Sequence, residues 1–334
     1  MTLTQAATWT RKTIIILILL IFTAIAGSVG YNIWYQHYLS TLPPVEEKPE
    51  VKFGVLPEIQ FPPSGVSSSN YSYSVDTVTG GFPKFPKLIK VYFIPRAGVS
   101  LLAPERARQQ AEKLGFTIGP EILSDTQHKY SDNREGELIM DLTTGNFFFQ
   151  RPATSSAFTA ESSTFYDQPQ VVEMFKNYLR NKNLLNNFLA NGRSNVTFND
   201  DPPAEYSTAD VSIWPTDIDK LPLVTAAFKH GLVEATVTKA SEEKERFIRV
   251  NYTFWPIDDT TYSTYPLKTA EQGFDNLKSG QGFIAIQPEQ AQISISSVSL
   301  AYFQPDEYSP YLQPVYVFEG PDFAALVPAV LKEY

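Results

Sequence analysis

The first feature of the apolar and polar pattern is an uncharged run near the amino terminus. Residues 13 to 35 contain no Asp, Glu, Lys, Arg or His, and Arg11 and Lys12 come directly before them. A helix rises about 1.5 Å per residue, so roughly 20 apolar residues span a hydrocarbon core of about 30 Å. The run therefore predicts a transmembrane helix over residues 13 to 36 that contacts the lipid bilayer through residues 13 to 35.

The flanks of this run predict its orientation and its ends. Arg11 and Lys12 are the positive charges near it, so the positive-inside rule assigns residues 1 to 12 to the cytoplasm and the bulk of the chain to the outside. Trp34 and Tyr35 suit the headgroup level of an anchor. The alternative is a signal peptide that is cleaved after Ala26, because small residues at positions 24 and 26 follow an apolar stretch. Both hypotheses predict a single location, outside the cytoplasm.

A segment rich in proline and serine follows. Residues 37 to 86 contain Pro43-Pro44, Pro49, Pro57 and Pro62-Pro63, with few apolar clusters. Proline fixes φ and removes a backbone donor, which favours extended structure. The segment is predicted to be a stalk. The alternation of Phe53, Val55, Ile59 and Phe61 leaves open that part of it adds a strand to the folded body.

A first α+β unit is predicted over residues 87 to 200. It begins with a strand over residues 88 to 95, and a helix over 104 to 114 follows, with Pro104 in its first turn and Gly115 as its left-handed stop. Residues 137 to 142 and 146 to 150 form a hairpin around Thr143-Thr144-Gly145. A wide apolar stripe predicts a long helix over residues 169 to 190.

The second region, residues 201 to 334, is predicted to repeat this order: strand 211 to 215, helix 219 to 229, then a hairpin of 232 to 239 and 247 to 255. Thr269 with Gln272 is a capping-box pair that begins another helix. Strands over 291 to 303, 312 to 318 and 323 to 330 complete the region. The predicted fold class is α+β, with an N-terminal transmembrane helix followed by repeated units of a helix packed on an antiparallel sheet.

Composition and charge exclude several functions. The formal net charge is −9, which disfavours nucleic acid as a partner. The chain has no cysteine, so disulfides, thiolate metal sites and cysteine nucleophiles are absent. No glycine-rich phosphate loop is present, and nucleotide binding has no support.

The search for catalytic patterns is negative. The histidines are His37, His128 and His230, and their spacing predicts no shared site. Ser241 to Lys244 matches S-x-x-K, but it follows the Ser131-Asp132-Asn133 match to S-D-N, an order unlike that of serine acyltransferases. Acidic pairs such as Asp258-Asp259 leave open a structural cation. We expect no catalytic residue, no cofactor and no metal, and a protein that is not an enzyme.

Aromatic residues near the carboxyl terminus are the remaining candidates for a binding surface. Tyrosines with a polar tip line peptide and glycan grooves. The proline-rich turns around residues 262 to 266 and 305 to 314 predict exposure there. The candidate partner-contact residues are Tyr262, Tyr265, Tyr308 and Tyr311.

Two stretches carry a resemblance to a known group of domains. One is the carboxyl-terminal pattern Tyr311-Leu312-Gln313-Pro314-Val315-Tyr316, and the other is Asp141-Leu142-Thr143-Thr144-Gly145, an aspartate-x-x-threonine-glycine turn. They resemble PepSY-like and cystatin-like extracytoplasmic domains of membrane-anchored bacterial envelope regulators. The resemblance implies helix-on-sheet repeats, a single anchor, no catalysis and contact with another envelope protein. It implies no particular binding residues.

The resulting functional hypothesis is a membrane-anchored extracytoplasmic binding or regulatory module of the bacterial cell envelope that acts by protein-protein contact. Two alternatives remain from other classes of protein. One is a structural subunit of an envelope assembly, and the other is a cell-wall hydrolase or transferase that uses acidic residues. A cleft with converging carboxylates would favour the enzyme, whereas an exposed aromatic patch would favour the binding module.

Overall fold

The computed structural model describes residues 3–41, 48–63, 65–96, 98–153, 166–201 and 206–334. The chain divides into two compact units, residues 1–48 and residues 49–334. The side chains of Arg11 and Lys12, the predicted inner flank of the anchor, lie outside the described residues, as do Pro43 and Pro44 of the predicted stalk.

The first unit is formed by one helix, α1 (Leu3–Thr41). Within the described ranges, no helix is both long enough and apolar enough to cross a membrane, so the predicted transmembrane helix over residues 13 to 36 is wrong. The prediction equated the lack of charge with apolar character, but the run also contains polar groups. The hydroxyl of Thr23 donates to the carbonyls of Leu19 and Leu20, and Ser28 donates to Ile25. The location outside the cytoplasm stays a prediction.

The second unit contains a large antiparallel sheet, the first sheet. It consists of β3 (Ile118–Ile122), β4 (Gln127–Ser131), β5 (Glu137–Asp141), β6 (Phe147–Gln150), β7 (Ser194–Asp201), β8 (Tyr206–Ile213), β10 (Val233–Val237) and β11 (Phe247–Tyr252). The spatial order is β3-β4-β5-β6-β11-β10-β8-β7. Helices α2 (Ala103–Leu114), α3 (Gln168–Asn181) and α4 (Asn187–Ala190) precede its two halves, and the short α5 (Glu243–Arg246) leads into β11.

The strand order shows an internal repeat in the first sheet. Helix α2 precedes β3 to β6, and α3 with α4 precedes β7, β8, β10 and β11, so each half has a helical segment followed by four antiparallel strands. The halves join where β6 pairs with β11, with Phe149 opposite Val250. A repeat of helix and antiparallel sheet is therefore present, but it comprises residues 103–150 and 168–252. The predicted repeat of a strand over 211 to 215 and a helix over 219 to 229 is wrong.

The backbone explains why no helix forms over residues 219 to 229. Asp219 and Lys220 have φ values of 50° and 66°, in the left-handed region. A right-handed helix cannot pass through two such residues. Ile218 and Leu221 instead form an isolated antiparallel bridge around this turn, and the short β9 (Leu223–Val224) follows.

The core of the first sheet lies between its apolar face and the helices. Helix α2 buries Ala107, Ala111 and Leu114, and Gly115 ends it at a φ of 91°, as predicted. Helix α3 buries Val171, Phe175, Tyr178 and Leu179 against the same face. The predicted helix over 169 to 190 is broken in two, because Asn183 adopts a φ of 58° and Asn186 caps α4.

A second sheet occupies the rest of this unit. It contains β2 (Leu88–Phe93), β9, β12 (Asp258–Pro266), β13 (Phe283–Ile286), β15 (Ser297–Phe303), β16 (Tyr311–Gly320) and β17 (Phe323–Pro328). The main order is β12-β2-β16-β15-β9, and β17 pairs with both β16 and β13. A short parallel pair, β1 (Ser72–Val75) with β14 (Gln292–Ile295), lies beside it. Helix α6 (Ala270–Lys278) begins with the predicted capping box.

The second sheet is covered on both faces. On β16, Tyr316 and Phe318 face a core that includes Phe274 and Leu277 of α6. Val315 and Val317 face the other way and pack in a cluster with Ile59 and Phe61, which belong to residues 49–63. We call residues 49–63 the strap. The β15 strand is apolar on both faces, as predicted for a central strand.

These contacts change the predicted domain organisation. The strap is bound to the second sheet, so the stalk prediction does not describe residues 49–63. The strand β2, assigned by the sequence to the first unit, pairs with β12 and β16 of the second sheet. Residues 103–252, which carry the first sheet and the short β9 of the second sheet, therefore lie between β2 and β12 in the chain. A boundary between residues 200 and 201 would divide the first sheet at the hairpin of β7 and β8.

Candidate functional site

The structure divides the four predicted partner-contact tyrosines into two groups. Tyr265 is fully buried, and its hydroxyl donates to the Gly54 carbonyl of the strap at 2.9 Å. Tyr311 is half-buried, and its ring stacks on Phe53 of the strap with 4.9 Å between centroids. These two residues fix the strap to the sheet, so they do not form an exposed patch.

Tyr262 and Tyr308 are half-buried beside the core that contains α6. The Lys90 ammonium lies 4.5 Å from the centroid of the Tyr262 ring. The Tyr308 hydroxyl donates to the Ile94 carbonyl at 2.9 Å. Each tyrosine has a structural partner, and the four do not converge on one surface.

Trp34 and Tyr35, predicted with Arg11 and Lys12 to flank the anchor, lie on α1. Both side chains are exposed within the first unit. Trp34 stacks on Tyr38 and Tyr31 stacks on Tyr35, with centroids 5.7 and 5.9 Å apart. These contacts lie between successive turns of one helix and define no binding site.

A cleft of about 700 Å³ lies between the strap and the end of the second sheet. We call it the strap groove. It is lined by the strap from Val55 to Phe61, by Gln272 and Asn276 of α6, and by Lys268, which precedes the N-cap residue of α6. Gln313 and Pro314 of β16 line it, together with residues 328 and 330–334. The groove is therefore assembled from four chain segments that are distant in sequence.

Hydrogen bonds hold these segments in place. The buried Gln313 side chain donates from Nε2 to the Pro57 carbonyl at 2.8 Å, which ties β16 to the strap. The Leu56 amide donates to the Tyr334 carbonyl at 2.5 Å. These bonds hold the walls of the groove together.

The groove offers both polar and apolar contacts. Its apolar residues include Ile59, Phe61 and Val330. Its side-chain amides are those of Gln272, Asn276, Gln281 and Gln313. Each amide carries donors and an acceptor, so it can bind both the N–H and the C=O of a peptide. In the described part of the chain, the amides of Asn276 and Gln281 make no side-chain hydrogen bond.

Lys268 is the charged residue placed deepest in this arrangement. It is half-buried, precedes the N-cap residue Thr269 of α6, and donates from Nζ to the Pro328 carbonyl at 2.9 Å. Burial lowers the pKa of its ammonium group, and the nearby charge of Lys332 lowers it further, against an opposing effect of Glu333. The ammonium retains two donors that the Pro328 contact does not use.

A second, smaller cleft of about 280 Å³ lies on the polar face of the first sheet. Two carboxylates line it, Asp210 of β8 and Glu234 of β10. Asp210 accepts from Thr236 at 2.6 Å and from Asn199 at 2.7 Å. Glu234 forms an ion pair with Arg249 at 3.2 Å. We call this the acidic cleft.

Glu234 is the residue of this cleft whose ionisation is most informative. Burial raises the pKa of its carboxyl group, although the charges of Arg249 and His230 oppose the rise. Enzymes often use a carboxyl group with a raised pKa in a cleft as a general acid. Here each oxygen already faces a partner, since His230 Nδ1 lies 3.6 Å from Oε2 and Arg249 contacts Oε1. Within the described ranges, no group of three or more His, Asp or Glu side chains could hold a metal ion.

Sequence reasoning missed the residues of the strap groove. The capping box of Thr269 and Gln272 marked the start of α6, and the alternation of Phe53 to Phe61 marked the apolar residues of the strap. Neither signal shows that the strap and α6 face each other. That information lies in long-range contacts such as the bond between Gln313 and Pro57.

Comparisons with known proteins assign no family. No family model matches the sequence, and no curated protein matches it. Among solved structures, the chain is similar to an uncharacterized protein from Eubacterium rectale ATCC 33656. The TM-score is 0.36 and the identity is 11%, over 76% of this chain and 87% of that chain.

Proposed function

We propose that this protein is a non-enzymatic binding module that holds a segment of another protein in the strap groove. The observation that carries the proposal is the groove itself. It is a preformed cleft of about 700 Å³ that combines apolar residues with side-chain amides. Ligand sites in proteins are typically largely preformed clefts of this size, with a few polar groups that set orientation.

The amides support a polypeptide ligand. An extended chain presents N–H and C=O groups at regular intervals, and Asn276 and Gln281 can each pair with both kinds of group. Gln281 is exposed at the rim, whereas Asn276 lies on α6 and is half-buried. The apolar residues Ile59 and Phe61 can contact every second side chain of such an extended segment. The partner is proposed to be an envelope protein on the sequence resemblance alone.

The acidic cleft supports the enzyme alternative less well. Glu234 has the raised pKa of a candidate acid, but both its oxygens and both oxygens of Asp210 already face protein groups. A hydrolytic site needs a carboxylate that is free to contact a substrate or a water. The cleft is also less than half as large as the strap groove.

The test is crosslinking from inside the groove in cells that produce the full chain. An aliphatic diazirine amino acid, which is much smaller than Trp and leaves the groove open, replaces Asn276, which lines the groove, and in a matched variant it replaces Asp275, which neighbours it on α6 but does not line the groove. We expect one protein to crosslink from position 276 and not from position 275. A second variant set carries Gln281→Trp, which narrows the groove, and should reduce that product.

The proposal fails if positions 275 and 276 give the same products, or if Gln281→Trp leaves the product from position 276 unchanged. Circular dichroism and thermal unfolding of each purified variant establish that it is folded. Crosslinks to glycan strands in place of protein would instead support a cell-wall ligand and would overturn the proposal.

A further inference from the structure

We infer that the strap groove selects acidic peptide segments, and that a carboxylate side chain of the ligand pairs with the ammonium group of Lys268. The inference rests on the proposed function, because it names the class of ligand for the same groove. Lys268 is the half-buried charged residue of a groove whose other charged lining residues, Glu58, Lys332 and Glu333, are exposed.

Lys268 is fixed where a ligand in the groove would meet it. The chain before α6 is held by two backbone bonds: the Leu267 amide donates to Lys87 at 2.9 Å, and the Lys268 amide donates to Ala329 at 2.9 Å. The side chain is held by its bond to Pro328, another residue of the groove. The ammonium group is therefore placed in advance, which reduces the entropy lost when a ligand binds.

The ammonium group of Lys268 has no carboxylate partner among the described residues. Two other lysines with little side-chain exposure do have one, whereas the half-buried Lys176, like Lys268, donates to a backbone carbonyl, that of Ala190, at 2.9 Å. Lys182 pairs with Glu243 at 2.6 Å and Lys129 pairs with Glu137 at 2.6 Å, with exposed side-chain fractions of 16% and 24%. Partial burial of a charge without an opposite charge is unfavourable, so an anion at Lys268 would relieve a cost that the free protein carries.

The surroundings add to this preference in part. Lys332 also lines the groove, and its positive charge, like that of Lys268, attracts an anion to it. The amino-terminal end of α6, which begins next to Lys268, contributes a partial positive charge. Glu58 and Glu333 line the groove as well, and both are exposed. Glu271 lies in the first turn of α6, and its negative charge offsets the partial positive charge of that helix end. The exposed acids are screened by solvent more strongly than the half-buried lysine.

A carboxylate on a peptide fits these groups better than a free anion does. Lys268 can form a charge-assisted hydrogen bond with the side-chain carboxylate of the peptide, while the amides of Asn276 and Gln281 can bind the adjoining peptide backbone. Inorganic phosphate could contact Lys268 but would leave the amides and the apolar residues of the groove unused. The class of ligand is therefore an extended peptide with an Asp or Glu residue near its centre.

The test uses a displayed library of random dodecapeptides that is selected on the purified full chain. Parallel selections use Asn276→Trp, which fills the groove, Asp275→Trp as the matched control on α6, and Lys268→Gln. We expect peptides that bind the wild-type chain and Asp275→Trp, but not Asn276→Trp, to be enriched in Asp and Glu. Selection on Lys268→Gln should remove that enrichment. Lys113→Gln, an exposed lysine of α2, should leave it unchanged.

One selected peptide is then synthesised with its acidic residue and with the corresponding amide. We expect either change, in the peptide or at Lys268, to weaken binding about tenfold or more, as the loss of one charge-assisted bond does. Both changes together should weaken binding little further, because they remove the same contact. Inorganic phosphate at millimolar concentration should compete weakly.

The outcomes separate the two proposals. Peptides that require an open groove but show no acidic preference, or that bind Lys268→Gln equally well, would overturn the inference and leave the binding function intact. Displacement of the peptide by phosphate alone, with no effect of the peptide's own acid, would overturn it also. Absence of any peptide that distinguishes Asn276→Trp from Asp275→Trp would overturn the proposed function together with the inference.

Discussion

The Tyr92 hydroxyl donates a hydrogen bond of 2.6 Å to Oδ2 of Asp219. Tyr92 belongs to β2 of the second sheet, whereas Asp219 lies in the turn between β8 and β9, within residues 103–252. Lys90 approaches the same carboxylate, with its Nζ 3.2 Å from Oδ2. Burial raises the pKa of the Asp219 carboxyl group, but the bonds from Tyr92 and Lys90 outweigh it and leave the pKa below its ordinary value. The contact joins the inserted chain to the second sheet.

This contact predicts different effects for two substitutions of Asp219. Asp219→Ala removes both bonds and places alanine at a φ of 50°, which costs about 1–2 kcal/mol for the backbone and about 1 kcal/mol for the partly exposed bonds. Asp219→Asn keeps an acceptor and tolerates the left-handed region, so it should cost less than about 1 kcal/mol. The free energies of unfolding in urea measure both. Equal losses for the two variants would show that neither the backbone nor the acceptor matters at this turn.

The buried ion pair of Arg151 and Asp132 predicts a larger effect. The two side chains are 5% and 9% exposed and lie 2.9 Å apart. Arg151 also donates to the Leu114 carbonyl at 2.8 Å and stacks on Phe116. Arg151→Met leaves Asp132 buried without its partner, and we expect a loss of about 3–5 kcal/mol in the free energy of unfolding. In the double variant with Asp132→Asn, the loss should be smaller than the sum of the two single losses.

The same pair predicts a dependence of stability on pH. Burial raises the pKa of Asp132, but the bonds from Arg151 and from the amides of Arg134 and Gly136 outweigh this effect, so the pKa in the folded state is lowered. The stabilisation is therefore complete above the unfolded-state pKa of about 3.9 and is lost as the pH falls through the lower folded-state pKa. Urea unfolding between about pH 6 and pH 3 should show a fall in stability that Asp132→Asn reduces. An identical slope in the variant would contradict the assignment.

Local sequence signals predicted several elements correctly because their causes lie within a few residues. Gly115 ended α2 at a positive φ, and Thr269 with Gln272 formed the capping box of α6. The turn at Asp141 formed as expected, since its carboxylate accepts from the amides of Thr143 and Thr144 at 2.8 and 2.9 Å. These interactions depend on residues close in sequence, which a pattern can show.

The pairing of distant strands and the groove depend on contacts that a sequence pattern does not record. Nothing in residues 88 to 95 indicates that β2 pairs with β12, some 170 residues later, across the inserted first sheet. The proline content of the strap predicted a stalk, although Tyr265 and Gln313 bind its carbonyls. No local pattern marks Lys268 as a groove residue, because the contact that places its ammonium group is with Pro328 of β17, 60 residues later.

Gly192, which precedes β7, lies close to the backbone of Trp214, which follows β8. A Cβ atom at this position would lie 1.7 Å from the Trp214 carbonyl oxygen, a backbone atom that cannot move by a rotamer change. Gly192→Ala should cost about 1–3 kcal/mol or more, as overpacking does. The matched control is Gly81→Ala, where a Cβ meets no atom within 4 Å. Thermal unfolding should show a lower midpoint temperature for Gly192→Ala than for the wild-type protein. The midpoint of Gly81→Ala should stay close to the wild-type value.

The strap predicts a local effect on the wall of the groove. Phe53 packs against Tyr311 in a cluster with Val91 and Tyr265, so Phe53→Ala removes most of the apolar contact that holds this part of the strap. Val55→Ala is the matched control, because the Val55 side chain is 73% exposed. We expect Phe53→Ala to speed hydrogen exchange at the strap amides of Val51 and Leu56, whose acceptors are Thr264 and Tyr334.

The reason is that opening the strap exposes these amides without unfolding the sheets, so the exchange of the amides inside β16 should stay slow. A loss of about 1–2 kcal/mol in the free energy of strap opening corresponds to roughly 5- to 30-fold faster exchange. If the strap and β16 accelerate together, the strap is part of the global folding unit and the groove cannot open separately. If Val55→Ala has the same effect as Phe53→Ala, the cluster around Phe53 is not what holds the wall.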